Sequence, residues 1–138
     1  MLAGDEKILR ELVASYNLDP DTIDDNSLNY VTETIKRIYL VLEADVGGQH
    51  GVLAQMSSVW GSLKDGYQQA RDAASEFEPM LERFKAIKNE SRPAPGTLGA
   101  ATKRMVRLRR EWLTKVADFQ EAVSSFYREL APDEEELS

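Results

Sequence analysis

Cysteine is absent from this chain of 138 residues, and histidine occurs once, at His50. The lack of cysteine excludes disulfides, thiolate metal sites and cysteine nucleophiles. One histidine without a Glu-x-x-His pattern leaves zinc and di-iron chemistry without ligands. The sequence also has no glycine-rich phosphate loop and no nucleophile with a neighbouring base. We therefore expect no enzymatic activity, no catalytic residue, no metal, no cofactor and no small-molecule substrate.

Long apolar runs are missing as well. No stretch of about 18 apolar residues occurs, so no transmembrane helix is predicted. Residues Met1 to Asp5 lack the basic start and apolar core of a signal peptide, and we expect a cytoplasmic location. The formal net charge of -7 argues against wholesale wrapping of nucleic acid or of an anionic membrane.

The chain does contain a regular heptad pattern. From Leu53 onward, an apolar or small residue recurs at alternating steps of three and four, which predicts a long helix with an apolar seam. Pro79 lies at the heptad position farthest from this seam, so we expect the helix to continue across it with a kink. The seam residues are Leu53, Met56, Trp60, Leu63, Tyr67, Ala70, Ala74, Phe77, Leu81 and Phe84.

Four helices in a single domain are predicted from periodicity and from helix-ending residues. They cover residues of about 5–17, 28–46, 51–89 and 98–130, and an acidic tail follows at 132–138. Ser27 is the expected N-cap of the second helix. Gly47 and Gly48 should end that helix, and the stretch 90–99, rich in proline and glycine, should separate the last two.

The last two predicted helices match each other residue by residue. A short connector makes neighbouring helices antiparallel, and this fixes which seam residues oppose one another. The predicted pairs are Phe84 with Met105, Leu81 with Leu108, Phe77 with Trp112, Ala74 with Val116, Ala70 with Phe119, Tyr67 with Val123, Leu63 with Phe126 and Trp60 with Leu130. The predicted fold is therefore all-α, a three- to four-helix bundle built on a long antiparallel, coiled-coil-like helical hairpin.

A flanking apolar row of the third helix is left without an assigned partner. The first two helices are too short to cover the far end of the hairpin, so the tip is expected to protrude or to be covered by another chain. The predicted apolar partner interface consists of Val52, Val59, Met80, Phe84 and Ile87.

Positive charge is concentrated early in the fourth helix. Six of the 17 cations fall within thirteen residues that contain one acid, Glu111. Three of them, Lys103, Arg107 and Arg110, recur at steps of four and three away from the seam, which predicts a row facing solvent. The predicted residues for binding an anion or an acidic partner are Lys103, Arg104, Arg107, Arg109, Arg110 and Lys115.

Three kinds of environment can account for these cations. Acidic protein groups are favoured, and these are the connector acids Asp19, Asp21, Asp24 and Asp25, the acidic tail, or another subunit. Phosphate of nucleic acid or lipid comes second, although no aromatic residues are interleaved for base stacking, and an ordinary solvated face comes third.

The predicted function is a non-enzymatic helical-bundle subunit or adaptor for protein–protein assembly in a larger complex, or for self-association. The alternative is a small module that binds an anionic membrane or nucleic acid through the same cations.

Overall fold

A computed structural model describes residues 2–48, 57–90 and 95–130. Within these ranges the chain is all-α, as predicted, and contains no strand. The helices are α1 (Leu2–Leu18), α2 (Asp25–Gly48), α3 (Ser57–Lys88) and α4 (Thr97–Leu130), with a short 3-10 helix at Pro20–Thr22. The predicted first residues of the third helix, from 51 to 56, and the acidic tail lie outside the described residues.

The start of α2 differs from the prediction because a different side chain caps it. Asp24 Oδ1 accepts a hydrogen bond of 2.8 Å from the backbone N–H of Ser27. This bond satisfies one of the free donors of the first turn and holds the pKa of the Asp24 carboxyl below its usual value. Ser27 as the N-cap was therefore wrong, and α2 begins three residues earlier than predicted.

The helix α3 continues through Pro79, as the heptad position of that residue predicted. The proline ring is exposed, on the face away from the core. A missing N–H on this face is tolerated because the carbonyl it would have bonded can reach water.

The four helices form a bundle in which each helix runs antiparallel to the next. The helix α1 packs on α2 and α4, α2 packs on α3, and the largest contact joins α3 to α4. Arg37 of α2 pairs with Asp5 of α1 at 3.2 Å. Tyr39 of α2 stacks on Tyr67 of α3 with ring centroids 4.0 Å apart. The helices α1 and α2 thus form one layer on the hairpin of α3 and α4.

The hairpin register is confirmed at Phe77 and Trp112, whose ring centroids are 5.7 Å apart. Tyr67 contacts Phe119 and Trp60 contacts Phe126, at 6.0 and 6.1 Å. Phe119 and Phe126 lie one helical turn from the partners predicted for Tyr67 and Trp60. The difference arises because a residue of one helix packs between two residues of the facing helix that are a turn apart.

The predicted exposure of the apolar row was wrong for Met80 and Ile87, which are only 7% and 6% exposed. The start of α4 explains their burial, because Ala100 and Ala101 line the same groove as Met80 and Ile87. The sequence pairing began at Met105 and left this part of α4 unassigned. Phe84 and Val59 are half-buried, and Val52 lies outside the described residues.

The hairpin nevertheless extends beyond the α1–α2 layer. The turn between α1 and α2 reaches the hairpin through two ion pairs, Asp21 with Arg109 and Asp25 with Lys85. In the hairpin register set by Phe77 and Trp112, Lys85 lies opposite the α4 residues near Arg104, so only the first residues of α4, where Leu98 is 40% exposed, extend past this level. A protruding tip was one of the two outcomes predicted, and the clustered cations begin at Lys103, behind this tip.

Candidate functional site

Four cations of α4 form a basic stripe, which we define as Lys103, Arg104, Arg107 and Arg110. All four are exposed, and within the described part of the chain none has an ion pair or a side-chain hydrogen bond. The stripe extends over about 10 Å of the helix axis at 1.5 Å per residue. It is a positive surface on which no cation lies within ion-pair distance of a carboxylate in the described part of the chain.

The stripe lies beyond the first turn of α4. Because α4 begins at Thr97, Lys103 is in its second turn, where the unfavourable effect of the helix dipole on a cation has largely decayed. Mutual repulsion is the more important cost. The spacings of Lys103 to Arg107, Arg104 to Arg107 and Arg107 to Arg110 are four, three and three residues, and each such like-charge pair costs about 0.2–0.5 kcal/mol.

Arg109 is adjacent to the stripe in sequence but has a different role. Its side chain is 11% exposed, and Nη2 lies 2.9 Å from Asp21 Oδ1 in the turn between α1 and α2. The prediction that a connector acid meets these cations is therefore confirmed for Arg109 and not for the stripe. This ion pair fixes the α1–α2 turn to the side of α4.

Lys115 also serves the bundle itself. It is half-buried, and its Nζ donates a hydrogen bond of 2.8 Å to Gln69 Oε1 of α3. The contact joins α3 to α4 across the hairpin. Of the six predicted binding residues, the structure thus leaves the four residues of the stripe available to a partner.

Two of the other connector acids, Asp24 and Asp25, are engaged elsewhere. Asp25 binds Lys85 of α3, and this hydrogen-bonded ion pair raises the pKa of the lysine. Asp24 caps α2. The α1–α2 turn therefore uses its carboxylates to position itself, and they are not directed at the stripe.

A shallow hollow of about 500 Å³ lies along the outer side of α4. Three cations of the stripe border it together with half-buried Val106, and Glu111 and Lys115 lie at its far end. Guanidinium and ammonium groups in such a hollow can bind carboxylate or phosphate oxygens. In the described part of the chain, no group of three or more histidine, aspartate or glutamate side chains could hold a metal ion.

Sequence reasoning missed a buried polar cluster at the junction of α1 with α4. Glu6 is 7% exposed, and its carboxylate is bound by Arg10 Nη2 at 2.6 and 2.8 Å. Ser124 Oγ donates to it at 2.7 Å and Gln120 Nε2 at 3.4 Å. Burial acts to raise the pKa of Glu6, but the hydrogen bonds from Ser124 and Arg10 outweigh it and leave this pKa lowered. A signal existed, since Glu6 falls on the apolar face of α1 with Leu9 and Val13.

A stack of aromatic rings joins α2 to α3. The ring of Tyr39 is nearly parallel to those of Trp60 and Tyr67, with interplanar angles of 7° and 6°. The guanidinium of Arg71 lies 5.6 Å from the centroid of the Tyr67 ring, at cation–π distance. Tyr39 donates to Glu43 at 2.8 Å, and burial together with this bond raises the pKa of Tyr39 to about 12. The chain satisfies these groups internally, which indicates a packing role.

The described residues form an all-α bundle, and the basic stripe is a cluster of exposed cations without ion pairs on its surface. None of the described helices is long and apolar enough to cross a membrane. No known protein family, no curated protein and no solved structure matches the chain.

Proposed function

We propose that this chain is a non-enzymatic helical-bundle subunit or adaptor of the cytoplasm. It joins an assembly by binding an acidic segment of a partner protein through the basic stripe. The observation that carries this proposal is that the stripe is exposed and has no ion pair in the described part of the chain. Arg109 and Lys85 nearby do have acidic partners. The absence of cysteine is compatible with the reducing environment of the cytoplasm.

The energetics favour occupation of the stripe by an anionic partner, such as a segment that bears carboxylates. Each like-charge contact within the stripe destabilises α4 by a few tenths of a kcal/mol. Carboxylates placed over Arg104 and Arg107 replace this repulsion with charge-assisted hydrogen bonds. The free stripe is therefore less stable than the occupied one, which is the property expected of a docking surface.

The shape of the positive surface favours a short acidic segment over an extended polyanion. The chain carries a net charge of -7, and the stripe is only about 10 Å long. A membrane surface or a nucleic acid duplex would also face acidic residues beyond the stripe, such as Glu111 and Glu121, which are exposed on α4. A few consecutive carboxylates match the stripe without that repulsion.

The proposal is tested by binding a labelled peptide of a few consecutive glutamates, the polyglutamate probe, to the full chain and to the double variant Arg107→Glu/Arg110→Glu. The control variant, Lys36→Glu/Lys64→Glu, makes the same change in net charge at two exposed lysines outside the stripe. We expect the stripe variant to bind at least about tenfold more weakly and the control within about twofold of the parent. The same variants are titrated with phosphatidylserine vesicles and with an oligonucleotide.

Three results would contradict the proposal. Binding of vesicles or oligonucleotide that depends on the stripe, without binding of polyglutamate, would favour the module for anionic surfaces. Equal losses in the stripe and control variants would show that only net charge matters. No binding of any probe would remove the stripe as a docking site.

A further inference from the structure

We infer that the acidic segment bound by the basic stripe belongs to a second copy of this chain, and that it is the run Asp133–Glu136. This inference rests on the proposed function, because it identifies the partner of the same stripe. The run lies just after α4 in the sequence and contains four consecutive acids. It lies outside the described residues, and only its position along the chain enters the argument.

Chain length prevents the run from covering the stripe of its own chain. From the end of α4 at Leu130 to Glu136 there are six residues, which span at most about 21 Å when extended. Arg110 and Lys103 lie 20 and 27 residues before Leu130, or about 30 and 40 Å back along the helix. Even when the side chain of the cation and the side chain of Glu136 are both extended, Arg110 is the one residue of the stripe that the run can reach. A second copy has no such restriction.

The run and the stripe match in charge and in length. Four acids face four cations. The run from Asp133 to Glu136 is about 10 Å long when extended, and the stripe from Lys103 to Arg110 is about 10 Å long on the helix. In the α1–α2 turn, three of the four acids are engaged, Asp24 by Ser27, Asp25 by Lys85 and Asp21 by Arg109. The run is the longest stretch of consecutive acids in the sequence, which makes it the best match in charge density for the stripe.

The positions of the two segments suit a twofold dimer. The stripe is near the beginning of α4 and the acidic run follows its end, so two antiparallel copies of α4 exchange both contacts at once. Two reciprocal contacts reinforce each other because the second forms within the complex. At physiological salt, screening confines the repulsion between two acidic chains to about 8 Å, which leaves local contacts as the deciding interaction.

The experiment is a charge swap followed by sedimentation velocity on the full chain. The first variant reverses the stripe as Lys103→Glu/Arg104→Glu/Arg107→Glu/Arg110→Glu. The second reverses the run as Asp133→Lys/Glu134→Lys/Glu135→Lys/Glu136→Lys. In the first variant the stripe and the run are both negative, and in the second variant both are positive, so neither variant can pair with itself. In a mixture, the negative stripe meets the positive run and the positive stripe meets the negative run. Circular dichroism of each variant verifies that the bundle is folded.

We expect the parent chain to dimerise at low salt, each variant alone to be monomeric, and the equimolar mixture to dimerise again. The parent dimer should weaken at least about tenfold as salt rises through the range in which surface ion pairs are screened. A monomeric parent at about 1 mM would overturn the inference, as would a mixture that stays monomeric while the parent dimerises. If the parent is monomeric and its polyglutamate binding still depends on the stripe, the inference fails while the proposed function stands.

Discussion

Two charged regions of α4 are built in opposite ways. Near the end of the helix, Ser124 and Gln120 meet Glu6 of α1, whose carboxylate also binds Arg10. In the basic stripe, four cations face solvent without any ion pair in the described ranges. The first region is buried and holds α1 in place, whereas the second is exposed and contributes nothing visible to the bundle.

The difference separates charges that stabilise the fold from charges that are available to a partner. A buried carboxylate must be hydrogen-bonded, because its desolvation costs far more than one surface ion pair returns. Exposed cations carry no such requirement. A surface that places four of them within about 10 Å tolerates repulsion that a simple solvated face would avoid.

The largest effect is expected from removing the buried carboxylate. Glu6→Ala should lower the free energy of unfolding by about 2 kcal/mol, because Ser124 and Gln120 lose their acceptor and Arg10 loses its counter-charge. The exposed Glu11 of the same helix has no partner among the described residues, so Glu11→Ala should stay within about 0.5 kcal/mol. Urea denaturation measures both. Equal values for the two variants would mean that the Glu6 cluster does not hold α1.

A smaller loss is expected at the turn between α1 and α2. Asp21→Ala should cost about 1 kcal/mol, since it leaves the mostly buried Arg109 without its carboxylate. Asp19→Ala is the matched control, because the Asp19 side chain makes no capping hydrogen bond. Thermal unfolding at neutral pH is the measurement. A loss at Asp19 as large as that at Asp21 would assign the effect to the turn's net charge.

The buried Glu6 cluster should also make the free energy of unfolding depend on pH in the acid range. The pKa of Glu6 in the folded chain is lowered from an ordinary value near 4.5, so the unfolded chain binds the proton more readily. The contribution of ionised Glu6 to the free energy of unfolding is therefore present above pH 4.5. It is lost as pH falls through the lowered pKa of Glu6 in the folded chain. Stability measured from pH 6 to pH 3 should fall less steeply in Glu6→Gln than in the parent. Parallel curves would contradict a lowered pKa.

The smallest effect on stability is expected in the stripe. Arg107→Glu/Arg110→Glu should leave the free energy of unfolding within about 0.5 kcal/mol of the parent, because the relief of repulsion with Lys103 is offset by new repulsion between residue 107 and Glu111. Chemical denaturation checks this, with Lys36→Glu/Lys64→Glu as the control. A loss above about 1 kcal/mol would show that the stripe belongs to the bundle's own structure.

The hairpin could be predicted from the sequence because the apolar residues of its two helices recur at regular steps. The steps of three and four from Leu63 to Phe84 and from Met105 to Phe126 define two faces that must meet, and Phe77 does meet Trp112. The burial of Met80 and Ile87 was not predictable from these seams, because it depends on small residues at the start of α4, before its apolar repeat begins.

The candidate site was only partly predictable, for a similar reason. The spacing of Lys103, Arg107 and Arg110 is a property of one helix and can be read along the sequence. The engagement of Arg109 by Asp21, and of Glu6 by Ser124, joins residues far apart in the chain. Such contacts depend on how the α1–α2 layer lies on the hairpin, which no local pattern encodes.

The central claim is that the stripe binds a partner and does not support the fold. Its most direct test is to measure polyglutamate binding and the free energy of unfolding on the same samples of the parent chain and of Arg107→Glu/Arg110→Glu. We predict that binding falls at least about tenfold while the free energy of unfolding changes by less than about 0.5 kcal/mol. A loss of stability that accompanies the loss of binding, or unchanged binding, would contradict the claim.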